Sequence, residues 1–186
     1  GIIYVADLTN LRRNLYFLSQ LLILDIPIIV LLNMSDLANP TTVVNVKKLE
    51  AEFNVFDIIP FSASSRQGLN TLKATITEII NSDYKANHKS FLLSKENKQL
   101  LLPLNTCVNK NFGTSIPGGE YLSLSILSSN RYLDNLYCSD NVKNSLKEAK
   151  TKVLSQVDKS MHKNLETLES DLRYGYLDEI LDKSDY

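Results

Sequence analysis

One stretch decides how the rest of the chain is interpreted: Ile26-Pro27-Ile28-Ile29-Val30-Leu31-Leu32-Asn33-Met34-Ser35-Asp36. Its aliphatic part is short, continuous and rich in β-branched residues, which is typical of a strand buried on both faces of a parallel sheet. The run ends at a small polar cluster that contains Asn33 and Asp36. Because ligands bind just beyond the carboxyl ends of such strands, these two side chains are predicted to lie at a binding site.

The composition describes a chain that can bury a core and carries almost no net charge. It has 186 residues, 44% of them hydrophobic, and its 20 Lys and Arg against 21 Asp and Glu give a formal net charge of −1. This balance argues against a protein that holds nucleic acid or an anionic membrane by bulk charge. Cys107 and Cys138 form no CxxC pattern, and His88 and His162 stand alone in polar sequence. We therefore assign no metal ligand and no catalytic residue, and a reducing, cytosolic setting is the default.

The start of the chain predicts a fragment of a longer protein. It begins at Gly1 without an initiator Met and is already inside an apolar run. The segment Leu15–Met34 has about the 20 residues that a membrane span requires. Gln20, Asp25 and Pro27 interrupt it, so a helix, a turn and a strand are predicted there instead.

Strands and helices alternate in the first part of the chain. Strands are predicted at Ile2–Ala6, Ile28–Leu32 and Phe56–Phe61. Helices are predicted at Leu11–Leu24, around Val46–Phe53, and after Gly68 with a buried face of Leu69, Leu72, Ile76, Ile79 and Ile80. Asn10 and Asn45 are the expected helix caps, Asp25 closes the first helix, and Asn39–Thr42 forms a turn. This order predicts an α/β fold with three parallel strands and flanking helices.

The second part of the chain is predicted to be entirely helical. No convincing strand follows Lys85, and the boundary between two domains, 1–84 and 85–186, is placed there. Leu92-Leu93 and Leu100–Leu102 are expected to belong to one helix, which Pro103 either ends or follows directly. Asn105–Gly119 is expected to be a polar loop. Three later helical segments are marked by apolar residues at helical spacing, from Tyr121 to Leu127, from Val142 to Val157 and from Leu165 to Ile180.

Polar residues follow each predicted strand, and their types indicate a base-binding site. A carboxylate such as that of Asp36 accepts two parallel hydrogen bonds well. Guanine offers these through its ring N–H and its exocyclic amine, whereas adenine would leave the carboxylate unpaired, and such sites discriminate by roughly 10⁴–10⁵. Asn33 can donate to and accept from a base edge, and the backbone N–H groups after Ser62 can bind a carbonyl oxygen. Asp7 is interpreted as a residue that stabilises its loop.

These motifs carry a resemblance to a known family. Asn33-Met34-Ser35-Asp36 resembles the guanine-specificity motif of Ras-like GTPases, normally Asn-Lys-x-Asp, and Ser62-Ala63-Ser64 resembles their last base-contacting loop. Met in place of Lys is a variant of the ferrous iron transport protein B family. Asp7–Leu32, Gly118–Leu122 and Arg173-Tyr174 are also similar to segments of that family. The resemblance implies the C-terminal half of a Ras-like P-loop GTPase sheet, followed by a helical domain that resembles a GDP-dissociation inhibitor.

Carried over residue by residue, the resemblance implies a guanine site. Asp36 binds the guanine N–H groups, and Asn33 binds the other edge of the base. Ala63 holds the guanine oxygen through its backbone N–H, while Ser62 and Ser64 shape the loop. Met34 lies against the base without offering a charge, so modest nucleotide affinity and fast exchange are expected.

The resemblance also implies a function for the whole protein. GTP or GDP is the nucleotide, and its state is coupled to Fe²⁺ uptake through the protein's own membrane domain, with a homo-oligomer as an open possibility. The expected location of the protein is the cytoplasmic face of the bacterial inner membrane, and the present chain itself is expected to be soluble.

The parts of such a protein that handle the phosphates are missing from the sequence. No GxxxxGK[ST] phosphate loop and no Asp-x-x-Gly motif occur, so this chain alone is expected not to hydrolyse GTP. Mg²⁺ is expected only with the missing phosphate loop. Without the other half of the sheet, an apolar edge and helix faces are expected to be uncovered.

Two other functions remain open from the sequence. One is an interaction module that keeps the fold without hydrolysing GTP. The other is a fragment of a soluble, ribosome-associated GTPase, although residues 85–186 carry 14 basic and 13 acidic side chains and so lack a basic RNA-binding character. Arg12 and Arg13 are interpreted as a solvated helix face, and Tyr174 and Tyr176 as residues that pack on the helical domain or on a membrane part.

Overall fold

The computed structural model describes residues 1–24, 26–37, 44–87, 95–113, 119–157 and 165–184. The chain divides into two compact units, the first formed by Gly1–Leu92 with Tyr174–Tyr186 and the second by Leu93–Arg173. Among the described residues, no helix combines the length and the apolar character that crossing a membrane requires. Asp25, Asn39–Thr42, His88 and His162, which the sequence interpretation singled out, lie outside the described residues.

The first unit contains a parallel sheet of three strands. They are β1 (Ile2–Asp7), β2 (Ile28–Asn33) and β3 (Asp57–Pro60), in the order β1-β2-β3. All five apolar residues of β2 are buried, as expected for a central strand covered on both faces. The register pairs Asp7 with Asn33 and Leu32 with Pro60, so the carboxyl ends of the strands meet at one edge of the sheet. The predicted α/β fold with three parallel strands is confirmed.

Three helices of this unit follow the strands: α1 (Leu11–Leu21), α2 (Val46–Phe53) and α3 (Leu69–Asn81). The predicted cap of α2 is confirmed, because Asn45 Oδ1 accepts from the Lys48 N–H at 3.1 Å. The predicted cap position of α1 is confirmed, because Asn10 directly precedes the helix, but the Asn10 side chain makes no capping hydrogen bond. A 3₁₀ turn precedes α1, and Asp7 Oδ1 accepts there from the Thr9 N–H at 2.8 Å and the Thr9 hydroxyl at 2.7 Å.

The two faces of the sheet are covered differently. One face joins Ile28, Val30, Leu32 and Ile58 to buried residues of α1 and α2. The other face buries Ile29, Leu31 and Ile59 under α3, through Leu72, Ile76 and Ile79. On that same face, Ile3 and Val5 of the edge strand β1 are 48% and 53% exposed. The predicted uncovered apolar edge of the sheet is therefore present.

The buried face of α3 differs from the predicted one at two positions. Ile80 is 73% exposed, so its predicted burial is wrong, whereas Thr75 is 5% exposed. Thr75 can occupy the buried position because its hydroxyl donates to Oδ2 of Asp57, the first residue of β3, at 3.0 Å, which satisfies both polar groups.

Gly68 directly precedes α3 and has a conformation that only glycine adopts without strain. Its φ is +80°, and a Cβ built there would lie 2.5 Å from the Pro60 carbonyl oxygen. We expect Gly68→Ala to lower the free energy of unfolding of the first unit by about 2–4 kcal/mol, since strain and a backbone clash add. Native-state hydrogen exchange of amides in β2 and β3 measures this change.

Gly113 provides the matched control for that substitution. Its φ is also positive, at +93°, but a Cβ there meets nothing within 4 Å. Gly113→Ala should therefore cost only the conformational strain, about 1–2 kcal/mol in the unit that carries it. Equal costs at the two positions would show that the Pro60 carbonyl does not limit the residue at 68.

All the regular secondary structure in the described part of the second unit is helical. Its helices are α4 (Lys95–Leu100), α5 (Leu102–Phe112), α6 (Gly119–Ser128), α7 (Asn130–Asn135) and α8 (Asp140–Gln156). The predicted helix through Leu102 ends earlier, because α4 stops at Leu100 and Leu102 begins α5. Pro103 lies in the first turn of α5, where proline is tolerated. The loop predicted over Asn105–Gly119 is wrong for residues 105–112, where Leu104 and Val108 bury one helical face.

The last helix, α9 (Leu165–Lys183), has residues in both units. From Tyr174 on it belongs to the first unit, where Leu177, Ile180 and Leu181 are buried in the same core as α1. This places Tyr174–Tyr186 with the sheet, whereas the predicted boundary put all of 85–186 in one domain. The contacts that cause this difference were not visible in the sequence. The assignment of functions to 1–84 and 85–186 stays a prediction.

Two polar contacts fix the end of α9 to α1. Arg12 Nε and Nη2 donate to the two carboxylate oxygens of Asp178 at 2.6 and 2.8 Å, and the guanidinium lies 4.4 Å from the Tyr174 ring centroid. The Tyr174 ring also packs on Tyr16, with centroids 4.8 Å apart. Arg12 is therefore not only a solvated helix face. Tyr174 packs on Tyr16 and Arg12 of α1, within the first unit, and not on the helical domain as predicted.

Candidate functional site

The loop after β2 carries three of the predicted site residues. Asn33 is the last residue of the strand, and Met34 adopts a left-handed conformation with φ of 63°. This reversal leads into a 3₁₀ turn, Ser35–Leu37, in which the Leu37 N–H donates to the Met34 carbonyl oxygen at 2.9 Å. The turn keeps Asp36 exposed and leaves the Met34 side chain 37% exposed beside it.

The loop after β3 carries the other three. The Phe61 N–H donates to the Leu32 carbonyl at 2.9 Å and continues the parallel pairing beyond the strand. The Ser62 N–H then donates to the Gln67 carbonyl at 3.1 Å, which closes a tight loop over residues 63–66. Ser62 is 1% exposed at the base of this loop, and Ala63 and Ser64 are exposed at its tip.

Side chains join the two loops directly. The Ala63 N–H donates to Asn33 Oδ1 at 3.1 Å, and the Ser64 hydroxyl donates to Asp36 Oδ2 at 3.2 Å. Two residues from each loop are therefore in contact, although 30 and 28 residues separate the partners along the chain. The structure brings together the predicted site residues of both loops at one edge of the sheet.

Ser35 is a site residue that the sequence interpretation missed. Its backbone N–H and its hydroxyl both donate to the Phe61 carbonyl oxygen, at 3.1 and 2.8 Å. These bonds tie the turn that holds Asp36 to the segment that precedes Ser62. The only sequence signal was a hydroxyl residue inside the polar cluster.

A chain of hydroxyl groups acts on the Asp36 carboxylate. The hydroxyls of Ser62 and Ser64 lie 3.0 Å apart, and that of Ser64 also reaches Asp36. Hydrogen bonding from Ser62 lowers the pKa of Asp36 most, and its own backbone N–H and Ser64 lower it further, while desolvation opposes them. The side chain is therefore a carboxylate at neutral pH, which is the form that accepts two hydrogen bonds.

We expect Ser62→Ala to raise the pKa of Asp36 toward its ordinary value. The pKa of Asp36 is lower in the folded than in the unfolded protein, so the ionised carboxylate stabilises the folded state. This stabilisation is fully present above the unfolded pKa and is lost as the pH falls through the folded pKa. A carbon-detected NMR titration of the Asp36 carboxyl measures its pKa in the wild-type protein and in Ser62→Ala. The control is Ser65→Ala in the same loop, because the Ser65 N–H, and not its side chain, contacts Ser62. An unchanged Asp36 pKa in Ser62→Ala would contradict the hydroxyl chain.

The arrangement places groups that can recognise the edge of a planar ligand. Asp36 presents a carboxylate, Asn33 an amide and Ala63 a backbone donor at one exposed edge. The described residues contain no group of three or more His, Cys, Asp or Glu side chains that could hold a metal ion. Cys107 and Cys138 are free thiols at partly exposed positions of the second unit.

Comparison with known sequences relates the first part of the chain to transporters. Residues 1–76 match the sequence model of a family described as Ferrous iron transport protein B. The Fe(2+) transporter FeoB of Escherichia coli (strain K12) is 39% identical over 87 residues, which are 46% of this chain and 10% of that protein. The FeoB of Salmonella typhimurium is 40% identical over 76 residues, again 10% of its length. The chain thus matches about a tenth of the length of these curated relatives.

Comparison with solved structures extends the likeness to both units. The cytosolic domain of L. pneumophila FeoB is 25% identical with a TM-score of 0.66, covering 97% of this chain and 66% of that one. The mGMPPNP-bound NFeoB from S. thermophilus is 18% identical with a TM-score of 0.70, covering 98% and 66%. A GDP-bound mutant of the S. thermophilus FeoB G-domain is 18% identical with a TM-score of 0.71, covering 99% and 68%. The S. thermophilus structures establish the fold.

Proposed function

Because residues 1–76 match the sequence model of the ferrous iron transport protein B family, we propose that the chain reads the guanine base for a GTP-driven Fe²⁺ transporter. The observation that carries the proposal is the pairing of the two loops, Asn33 with Ala63 and Asp36 with Ser64. It holds a carboxylate, an amide and a backbone donor together where a parallel sheet binds its ligands.

Each residue has a defined role toward guanine. Asp36 accepts from the ring N–H and the exocyclic amine, and Asn33 contacts the other edge of the base. The Ala63 N–H binds the guanine oxygen. In the present structure this N–H donates to Asn33 Oδ1. Ser62 and Ser64 hold the Asp36 carboxylate in place through their hydroxyls.

Base selectivity tests this function. GDP, xanthosine diphosphate and ADP should be compared as competitors of a fluorescent guanine nucleotide bound to the protein. GDP should displace the probe, and ADP should require a concentration higher by several orders of magnitude, because adenine leaves the Asp36 carboxylate unpaired. Equal competition by ADP would exclude a guanine-reading site.

Met34 should make nucleotide exchange fast. Its thioether packs on a base but offers no charge, whereas a lysine there adds a cation beside the aromatic ring. We expect Met34→Lys to slow GDP dissociation by about three- to tenfold, as measured by stopped-flow release of a fluorescent GDP analogue. The control is Leu37→Lys, which adds the same charge at a 65% exposed position of the same loop. A wild-type GDP complex that persists for hours would contradict the account.

Hydrolysis and transport are proposed for the whole protein. The chain contains no GxxxxGK[ST] segment, so the phosphate groups and the Mg²⁺ that accompanies them need a part outside these 186 residues. No residue of the described part is assigned to Mg²⁺. Helix α9 is the proposed connection to a membrane domain at the cytoplasmic face, because its Arg173-Tyr174 resembles the family's last soluble helix before the membrane part. A phosphate loop encoded upstream and long apolar segments downstream would support this arrangement.

A further inference from the structure

Helix α8 presents three lysines on one side, and we call them the lysine face: Lys143, Lys147 and Lys150. Their spacing of four and three residues places them together on the helix surface. All three lysine side chains contact residues of helix α7. Lys143 Nζ donates to the Asp134 carbonyl at 2.7 Å, and Lys147 Nζ lies 3.8 Å from Asp134 Oδ1.

Lys150 is the unusual member of the lysine face because it is buried. It is 8% exposed, and its Nζ donates to the Ile126 carbonyl at 2.8 Å and to Asn130 Oδ1 at 2.9 Å. Both acceptors are neutral. Ile126 lies in the last turn of α6, where the carbonyl end of the helix offsets part of the positive charge. Buried charges are usually paired with an opposite charge, and here only Asp134 raises the pKa of Lys150 against the lowering by burial.

A cavity adjoins the lysine face. It has a volume of about 340 Å³, and its walls include Lys147, Lys150, Asn130 and Thr151, with Leu133 and Leu154 as apolar wall. Asp134 is the one carboxylate among the residues that line it. The site thus combines a surplus of positive charge with neutral hydrogen-bonding groups around a space large enough for a small ligand.

We propose that this cavity binds a phosphate group. Lys150 and Lys147 supply the charge, Lys150 retains a third N–H beyond its two present bonds, and the Asn130 amide can donate to an anionic oxygen. Lysine binds phosphate as a point charge, so the planar, two-pronged hydrogen bonding of an arginine guanidinium is not required. The phosphate group is either free inorganic phosphate or the headgroup of an anionic lipid. The proposal is independent of the guanine site.

Titration of the full chain with inorganic phosphate tests the proposal. Binding is followed by NMR shifts of the Lys150 and Asn130 side chains at constant ionic strength, with chloride as the reference anion. We expect saturable shifts, a loss of affinity of about tenfold in Lys150→Met, and a smaller loss in Lys147→Gln. Asp134→Asn should strengthen binding about threefold, because it removes the one opposing carboxylate of the cavity. A merely structural role of the lysines does not predict that gain.

Matched variants keep the test decisive. Lys152→Gln removes a charge from the exposed side of the same helix, outside this cavity, and should leave the affinity unchanged. Lys147 has a half-exposed side chain, so Lys147→Gln should fold even if Lys150→Met does not. If phosphate bound unspecifically, Lys152→Gln and Lys147→Gln would lower the phosphate affinity equally. That result, or the absence of saturable phosphate shifts together with no vesicle binding, overturns the proposal.

Vesicles distinguish the two sources of the phosphate group. The chain is mixed with phosphatidylcholine vesicles that either contain or lack phosphatidic acid, and bound protein is recovered by sedimentation. Binding only to the phosphatidic acid vesicles, lost in Lys147→Gln and competed by inorganic phosphate, assigns the cavity to a lipid headgroup. Saturable binding of inorganic phosphate without vesicle binding assigns it to the free anion.

Discussion

Asp36→Asn should lower the affinity for GDP by about 10²–10⁴-fold and shift the preference toward xanthine nucleotides. In the proposed site the Asp36 carboxylate accepts two hydrogen bonds from guanine, and the substitution replaces it by an amide that places a donor opposite a guanine donor. Xanthine carries an oxygen at that edge, so the amide is complementary to it. Competition titrations with GDP and xanthosine diphosphate, made on the whole protein, measure the two affinities.

Asp83→Asn is the matched control for this change. Asp83 is exposed in the same unit and lines neither loop of the site, so its amide should leave both affinities unchanged. The Ser64 hydroxyl donates to Asp36 Oδ2, a bond that the Asn oxygen can also accept, so the loop itself should persist in the variant. Unchanged GDP binding in Asp36→Asn would show that Asp36 does not determine base specificity.

Leu177→Ala should lower the free energy of unfolding of the first unit by about 2–5 kcal/mol. Leu177 is 0% exposed and belongs to the core that α1 and the strands share, together with Ile180 and Leu181. Truncation removes apolar contacts and leaves a cavity that the surrounding side chains fill only in part. Native-state hydrogen exchange of amides in β2 reports the change.

Glu179→Ala separates this packing effect from a loss of helix stability. Glu179 is exposed two residues further along the same helix, and alanine has a higher helix propensity, so its unfolding free energy should change by less than about 0.5 kcal/mol. If Leu177→Ala were as mild as this control, the end of α9 would not be part of the first unit's core.

The parallel sheet could be predicted because its signals are local. The continuous aliphatic run of β2 is short, rich in β-branched residues and bounded by Pro27 and a polar cluster, which favours a strand covered on both faces, and Asn33 and Asp36 follow it directly. The site loops could be expected to meet because parallel strands end at one edge. The contact of Asn33 with Ala63 follows from the observed register of β2 and β3.

Features that depend on distant partners could not be predicted. Ser35 resembles any loop serine until its hydroxyl is seen on the Phe61 carbonyl, 26 residues away. Arg12 reads as a solvated side chain because its partner Asp178 is 166 residues away. The polar residues of 105–112 favoured a loop, but burial of Leu104 and Val108 outweighs their weak helix propensity.

The most direct test of the guanine-reading site is an NMR titration of the labelled protein with GDP and with ADP. The Ala63 amide and the Asn33 side-chain amide report the two contacts that a base must form or replace. Our account predicts that GDP shifts both signals saturably, that ADP at the same concentrations leaves them in place, and that Asp36→Asn suppresses the GDP shifts. Saturable GDP binding that leaves both signals unmoved would contradict it.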